Sequence, residues 1–162
     1  MKAHTSFTLQ RTTEQRQQME VWRNLQRACW TLNRSFGFGE KRMKQFLVCF
    51  GAATKEIAEI EHGNVRNKTW QDQLEYWFAA VVGEYLYSFS PHVEVFLRLC
   101  AFTLYKHFGF GTIRIRRFID GFEDAKDQIA NSSTERHKTW TQKLWEWADA
   151  YGLNEAVTGK EG

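Results

Sequence analysis

The sequence predicts an all-α protein made of two copies of a three-helix unit. Apolar residues recur at helical spacing along most of the chain, no segment shows sustained strand alternation, and the first half resembles the second. Of the 162 residues, 43% are hydrophobic and 15% aromatic, which is enough to bury a core and excludes a disordered chain. We expect six main helices in two halves related by a pseudo-two-fold axis.

The internal repeat sets the organisation of the chain. Residues 28–39 (ACWTLNRSFGFG) match residues 100–111 (CAFTLYKHFGFG) at an offset of 72, and the match extends in both directions. After a two-residue deletion, Lys68-Thr69-Trp70 matches Lys138-Thr139-Trp140 at an offset of 70. We therefore predict a tandem duplication, with repeats at residues 12–89 and 91–152 that share one core in a single compact domain.

The first two helices of each repeat follow from apolar spacing. The first helix has apolar residues at positions 21, 25, 28, 29 and 32, and its copy has them at 93, 97, 100, 101 and 104. A Phe-Gly-Phe-Gly turn then ends the helix, with Gly37 or Gly109 suited to a left-handed conformation. Gly39 and Gly111 suit the position that caps the next helix. One stripe of the second helix carries Met43, Phe46, Phe50 and Ile57, matched in the copy by Ile115, Phe118, Phe122 and Ile129.

The third helix of each repeat is predicted from its first residues. Thr69-x-x-Asp72 and Thr139-x-x-Gln142 resemble capping boxes, so we expect helices to begin after both threonines. Pro91 follows Ser90 between the repeats and suits the first turn of the helix that opens the second repeat.

The tryptophans divide into two groups. Four recur at matched positions with helical spacing, and we expect them in the core: Trp70, Trp77, Trp140 and Trp147. Trp22 and Trp145 have no aromatic counterpart in the other repeat. If its ring is exposed to solvent, either of these two tryptophans would suit a protein interface or base stacking.

Composition excludes several classes of protein. The longest uncharged apolar stretch, Tyr76–Gly83, is far too short to span a bilayer. The N-terminus lacks the apolar core of a signal peptide, so we expect a cytoplasmic location and no membrane association. Cys29, Cys49 and Cys100 have no CxxC spacing, which indicates reduced thiols rather than a disulfide scaffold or a zinc site.

No arrangement of residues indicates catalysis. The five histidines form no HxxxH or HExxH pair, and GxSxG, Walker and dinucleotide-binding patterns are absent from the sequence. One acidic cluster is compatible with a metal ion but more typical of a solvated helix face: Asp120, Glu123, Asp124 and Asp127. We predict a protein that is not an enzyme and uses neither a metal nor a cofactor.

The charge pattern points to an anionic partner. Residues 1–50 hold nine Lys and Arg against three Glu, a net charge of +6, within a chain whose total is +3. Six cations lie just after the glycine turns: Lys41, Arg42, Lys44, Arg114, Arg116 and Arg117. An anion there would meet both these cations and the free N–H groups of a helix start, so phosphate is the expected ligand. The alternative is that these cations pair with carboxylates of the protein itself.

The glycine turn resembles the hairpin of helix-hairpin-helix proteins, in which hairpin amides contact DNA phosphates without reading sequence. The resemblance implies that Gly37, Gly39, Gly109 and Gly111 contribute to binding beside the six cations. The turn differs from that family in carrying bulky residues where small ones are usual: Phe36, Met43, Phe108 and Ile115.

A longer resemblance covers the run Leu-x-x-x-Phe-Gly-Phe-Gly-x-x-Arg, present as Leu32–Arg42 and Leu104–Arg114. It is similar to small α-helical proteins of phages and prophages of Gram-positive bacteria, here duplicated, and it implies a phage accessory protein. Two functions stay open: binding of nucleic acid or of a nucleic-acid-containing complex, and inhibition of a host defence nuclease, as anti-CRISPR proteins do, by protein–protein contact. A purely structural role and a homodimer also stay open.

Overall fold

The computed structural model describes residues 20, 22–59, 69–86, 89–130 and 135–150. The predicted all-α class is confirmed, because all regular structure in these residues is helical. The helices are α1 over residues 22–36, α2 over Glu40–Gly51, α3 over Ala53–Glu59, α4 over Trp70–Val81, α5 over Pro91–Phe108, α6 over Thr112–Ala130 and α7 over Glu135–Ala150. The predicted repeat ends at residues 12 and 152 lie outside the described residues.

The described chain has seven helices rather than six, because the second helix of the first half is interrupted. Ala52 separates α2 from α3, with φ −97° and ψ −2°, and its N–H donates to the Cys49 carbonyl at 3.2 Å. The residue before the break is Gly51, and glycine is about 1 kcal/mol less favourable than alanine in a helix interior. The equivalent residue of the uninterrupted α6 is Glu123, a good helix former.

Two of the predicted helix starts are confirmed. α4 begins at Trp70, and the Asp72 N–H donates to the Thr69 hydroxyl at 3.3 Å, as expected for an N-cap. Pro91 occupies the first turn of α5 after the N-cap Ser90.

The predicted start at Thr139 is wrong, because α7 already begins at Glu135 and Thr139 lies inside the helix. Glu135 and Lys138 are residue types that lose little rotamer freedom in a helix, so the segment before Thr139 extends the helix by one turn.

The two glycine turns have the same local geometry. Gly37 and Gly109 both adopt φ 68°, the left-handed conformation that the sequence predicts. The N–H groups of Phe38 and Phe110 each donate to the carbonyl of the leucine six residues earlier, at 3.1 Å in both turns. Gly39 then caps α2 with extended backbone, φ −85° and ψ −169°. Origin by tandem duplication and an exact pseudo-two-fold axis stay predictions.

Helices of the two halves pack against each other. α5 of the second half contacts α2, α3 and α4 of the first half. α1 in turn reaches α6, where Arg27 Nη2 donates to the Phe122 carbonyl at 2.9 Å. Trp30 Nε1 donates to Gln128 Oε1 at 2.9 Å, and its ring lies 5.7 Å from Trp140 on α7. The first helix of each half is therefore buried against later helices of the other half.

The core is aliphatic and aromatic, with two free thiols inside it. The largest fully buried side chains are Phe46, Phe118, Phe122, Leu25, Leu32, Met43, Leu47, Ile57, Leu74, Leu97, Leu104 and Ile115. Cys29 and Cys100 are fully buried and free, and burial raises the pKa of both thiols. Cys49 is free and partly exposed. No described helix has the length and apolar character needed to cross a membrane.

The tryptophans pack against the protein rather than pointing into solvent. Trp77 is buried, and the other three matched tryptophans lie partly buried at the core: Trp70, Trp140 and Trp147. Trp22 and Trp145 contact each other edge to face, with ring centroids 4.7 Å apart. Both rings are partly buried in this contact between α1 and α7, so neither is the fully exposed tryptophan that would suit an interface or base stacking.

Candidate functional site

The two glycine turns meet in space. The ring centroids of Phe36 and Phe110 lie 4.9 Å apart, and those of Phe38 and Phe108 lie 5.1 Å apart. These two contacts are reciprocal, because an offset of 72 residues converts each pair into the other. Phe38 and Phe110 themselves contact edge to face at 6.2 Å. The four rings form one aromatic cluster to which both halves contribute equally.

Local structure explains where each ring lies. Phe38 and Phe110 follow the left-handed glycines and are 3% and 5% exposed. Phe36 and Phe108 are the last residues of α1 and α5 and are half-buried. Asn33 Nδ2 donates to the Phe38 carbonyl at 2.9 Å and holds the first turn in place.

A cleft of about 500 Å³ opens between the turns. We call it the turn cleft, and its lining is Phe36, Phe38, Arg42, Phe108, Phe110 and Arg114. Each half supplies two phenylalanines and one arginine at matched positions. Within the described part of the chain, no carboxylate lines this cleft.

Arg42 and Arg114 give the turn cleft its positive charge. Each guanidinium Cζ lies 5.8 Å from the ring centroid of its own turn, Phe38 for Arg42 and Phe110 for Arg114. Both arginines are exposed, and among the described residues neither makes a hydrogen bond or an ion pair. Glu40, the acidic residue in the first turn of α2, pairs instead with Lys44, with 3.1 Å between Glu40 Oε1 and Lys44 Nζ. Both guanidinium groups therefore keep their hydrogen-bond donors for a ligand.

Two other predicted site residues, Lys44 and Arg116, contact the protein itself. Besides its pair with Glu40, Lys44 places its Nζ 5.5 Å from the Trp147 ring centroid. Arg116 Nη2 donates to the Val82 carbonyl at 2.9 Å, and its Cζ lies 5.0 Å from the Tyr85 ring centroid. These two cations contact other residues of the protein and are not among those that line the turn cleft.

Arg117 and Lys41 are also absent from the cleft lining, and their contacts with the protein differ. The Arg117 Nη2 lies 3.5 Å from the Ser35 carbonyl oxygen, and its Cζ lies 5.1 Å from the Phe36 ring centroid. Lys41 is exposed and makes no ion pair with a described residue. Of the six predicted cations, the fold brings only Arg42 and Arg114 into the cleft lining.

The predicted glycines leave the backbone of both turns accessible. Gly37, Gly39, Gly109 and Gly111 are exposed, and a Cβ built on any of them would meet nothing within 4 Å. The four glycines are not among the residues that line the turn cleft, so this accessible backbone lies at the turns beside it.

A polar cluster that the sequence analysis missed holds the end of α5. Glu56 Oε2 lies 2.8 Å from Lys106 Nζ, and Glu56 Oε1 lies 3.0 Å from His107 Nε2. Burial works to raise the pKa of Glu56, but hydrogen bonds and charge from Lys106 and His107 outweigh it and lower that pKa. The one available signal was the pair of basic residues in the last turn of a helix, where cations are favoured.

The cleft-lining role of the four phenylalanines was also missed. Their recurrence as Phe-Gly-Phe in both repeats was the signal, but it is equally explained by turn packing. Among the described residues, no three His, Cys, Asp or Glu side chains lie close enough to hold a metal ion. Within the acidic cluster of α6, Asp120 accepts a hydrogen bond from the Tyr85 hydroxyl at 2.9 Å.

The lining residues determine what the turn cleft can do chemically. Guanidinium groups bind oxygen anions in a bidentate manner, and phenylalanine rings offer apolar faces and edges. The six residues include no nucleophile and no group that titrates near neutral pH, so this lining is suited to binding. Comparisons with models of protein families, with curated proteins and with solved structures gave no match for this chain.

Proposed function

We propose that this protein binds nucleic acid, alone or within a nucleic-acid-containing complex, at the turn cleft. The observation that carries the proposal is that Arg42 and Arg114, from different halves, line one cleft without a carboxylate partner among the described residues. Charge-assisted hydrogen bonds from arginine to phosphate are short and strong, so an unneutralised pair favours a phosphate-bearing ligand.

A polyanion fits better than a small isolated anion. The exposed glycine backbone of both turns and the exposed Lys41 extend the favourable surface beyond the two arginines. The resemblance to the helix-hairpin-helix turn supports phosphate contact without sequence reading. The role as a non-enzymatic phage accessory protein rests on the FGFGxxR resemblance alone.

The test is an anisotropy titration with labelled oligonucleotides across a salt series. We expect binding that weakens as salt rises, because cations released from the nucleic acid drive association. The double variant Arg42→Glu with Arg114→Glu is expected to abolish binding. Its matched control, Lys55→Glu with Lys126→Glu, changes the net charge equally at exposed positions outside the cleft and should retain most of the affinity. Absence of binding at low salt, or equal loss in both double variants, contradicts the proposal.

A second candidate function is inhibition of a host defence nuclease by protein–protein contact. The observation in its favour is Ile113, which is 78% exposed beside Arg114, with Tyr76 and Tyr105 exposed at 58% and 45%. Large exposed apolar and tyrosine side chains are common anchors of protein interfaces.

A plaque assay separates the two functions. In a Gram-positive host with an active CRISPR nuclease, expression of an inhibitor raises phage plating efficiency. Inhibition through Ile113 predicts that Ile113→Asp loses this effect while Arg42→Glu with Arg114→Glu keeps it. The opposite pattern favours nucleic-acid binding at the cleft, and no protection by the unaltered protein removes the second candidate.

A further inference from the structure

We propose that the turn cleft takes a single-stranded polynucleotide, with one base stacked on Phe108 and neighbouring phosphates bound by Arg42 and Arg114. This inference rests on the proposed nucleic-acid function and names its ligand class and its stacking residue. A break in the symmetry of the two halves distinguishes Phe108 from Phe36.

The break lies at the two half-buried rings, Phe36 and Phe108. The guanidinium of Arg117 lies over Phe36, with its Cζ 5.1 Å from the ring centroid. The matched position in the first half is Gln45, which carries no charge. Within the described part of the chain, no Lys or Arg lies over Phe108. Arg117 is not among the residues that line the cleft, so this cation covers Phe36 from outside the cleft, and Phe108 is the half-buried lining ring without a cation contact among the described residues.

Phe108 is held in place before any ligand arrives. Its ring contacts Phe38 at 5.1 Å and Phe46 at 6.5 Å. The preceding residues, Lys106 and His107, are both bound to Glu56, at 2.8 and 3.0 Å. A ring fixed in this way loses little conformational entropy when a ligand stacks on it.

A nucleobase is the ligand group that matches such a ring between two arginines. It is planar and aromatic, and it has a phosphate on either side along the strand. Stacking on aromatic side chains contributes about 1–3 kcal/mol per base in single-strand binders. In this arrangement both arginines bind phosphates and the lining has no hydrogen-bond acceptor side chain, so little discrimination between bases is expected.

Duplex nucleic acid fits the same cleft poorly. Its bases are already stacked and paired, so their faces are not available for stacking on a phenylalanine ring. A base must leave the duplex to reach Phe108 between the two turns, which costs the free energy of unpairing and unstacking. An unpaired strand avoids most of that cost, so the cleft should select single strands.

The experiment compares oligo-dT, oligo-rU and a mixed-sequence DNA duplex of equal length by anisotropy. The matched variants are Phe108→Leu and Phe36→Leu, which remove equivalent rings while keeping apolar bulk. We expect single strands to bind at least about tenfold more tightly than duplex and Phe108→Leu to weaken them about 5- to 100-fold. Phe36 also lines the cleft, so Phe36→Leu should weaken binding, but less than Phe108→Leu does, and Phe108→Tyr, which keeps the ring, should retain the affinity. Circular dichroism confirms that each variant is folded.

Each alternative result has a defined meaning. Equal binding of duplex and single strand, unaffected by Phe108→Leu but lost in Arg42→Glu with Arg114→Glu, overturns this inference and leaves the proposed function standing. Equal weakening by Phe36→Leu and Phe108→Leu overturns the assignment of Phe108. No binding of any oligonucleotide overturns both proposals.

Discussion

Arg42 and Arg114 line the same cleft although 72 residues separate them along the chain. Each guanidinium lies 5.8 Å from the buried phenylalanine of its own turn, Phe38 or Phe110. The shared cleft exists because the phenylalanines of each turn contact those of the other, so two cations from distant segments come to line one cleft. Cation–π contact with Phe38 and Phe110 keeps the guanidinium groups of Arg42 and Arg114 near the cleft and leaves their N–H groups available as hydrogen-bond donors.

The matched positions of the two arginines predict matched energetic roles. Arg42→Gln and Arg114→Gln should each weaken binding of single-stranded oligonucleotide and each lower the slope of log Kd against log salt by about one. The reason is that each variant removes one phosphate contact and its released counterion. Anisotropy titrations at four salt concentrations measure both slopes. Arg116→Gln is the control, because Arg116 contacts Val82 and should leave the slope unchanged.

The close contact between α1 and α6 makes Gly121 sensitive to substitution. Glycine to alanine normally favours a helix by about 1 kcal/mol. Here a Cβ would lie 2.6 Å from Cγ2 of Thr31, a side chain only 1% exposed, so we expect Gly121→Ala to destabilise the fold by about 1–3 kcal/mol. Urea denaturation of the folded protein measures the change.

A rescue variant distinguishes this clash from a general loss of helix packing. Thr31→Ser removes the Cγ2 methyl and keeps the hydroxyl that donates to the Arg27 carbonyl at 2.8 Å. In the Thr31→Ser background, Gly121→Ala should cost much less than in the natural sequence. The same cost in both backgrounds would show that the methyl contact is not the cause.

The Glu56 cluster predicts an acid-sensitive contribution to stability. Hydrogen bonds and charge from Lys106 and His107 lower the pKa of Glu56 against the effect of burial, from an ordinary value of 4.5. A lowered pKa stabilises the fold above that ordinary value, and the contribution is lost as the pH falls through the lowered pKa. Glu56→Gln should therefore cost about 1 kcal/mol at pH 7, screened by salt, and almost nothing once Glu56 is protonated in the folded state.

Urea denaturation between pH 7 and pH 3 tests this dependence. Glu59→Gln is the matched control, because Glu59 lies on the same helix, is exposed and makes no ion pair with a described residue. A difference between the Glu56→Gln and natural proteins that is constant with pH would argue against the assigned ion pairs.

The cysteines predict slow thiol chemistry in the folded protein. Burial raises the pKa of Cys29 and Cys100, and burial together with the charge of Glu56 raises the pKa of the partly exposed Cys49. Because the thiolate is the reactive form, a disulfide reagent at pH 7.5 should modify the native protein slowly and only at Cys49. Cys49→Ser should remove that slow phase, whereas all three thiols should react at once in guanidinium chloride. Rapid modification of Cys29 in native conditions would contradict the burial.

The structural features predicted correctly from the sequence depend on local interactions. The left-handed glycines at Gly37 and Gly109, the Thr69 cap and the Pro91 start all depend on residues a few positions apart, which sequence patterns reveal directly. The helical period of the apolar residues likewise predicts the all-α class. The capping pattern at Thr139 gave a wrong prediction, because α7 begins at Glu135 and continues through Thr139.

Contacts between distant segments decided the rest. The pairing of Phe36 with Phe110, the burial of Trp22 against Trp145 and the cation over Phe36 all join residues more than 70 positions apart. Spacing along a helix cannot reveal such pairs, because they arise only when the helices of one half bury their apolar faces against the other. The sequence therefore predicted six candidate cations, and tertiary packing selected Arg42 and Arg114 by bringing the two turns together.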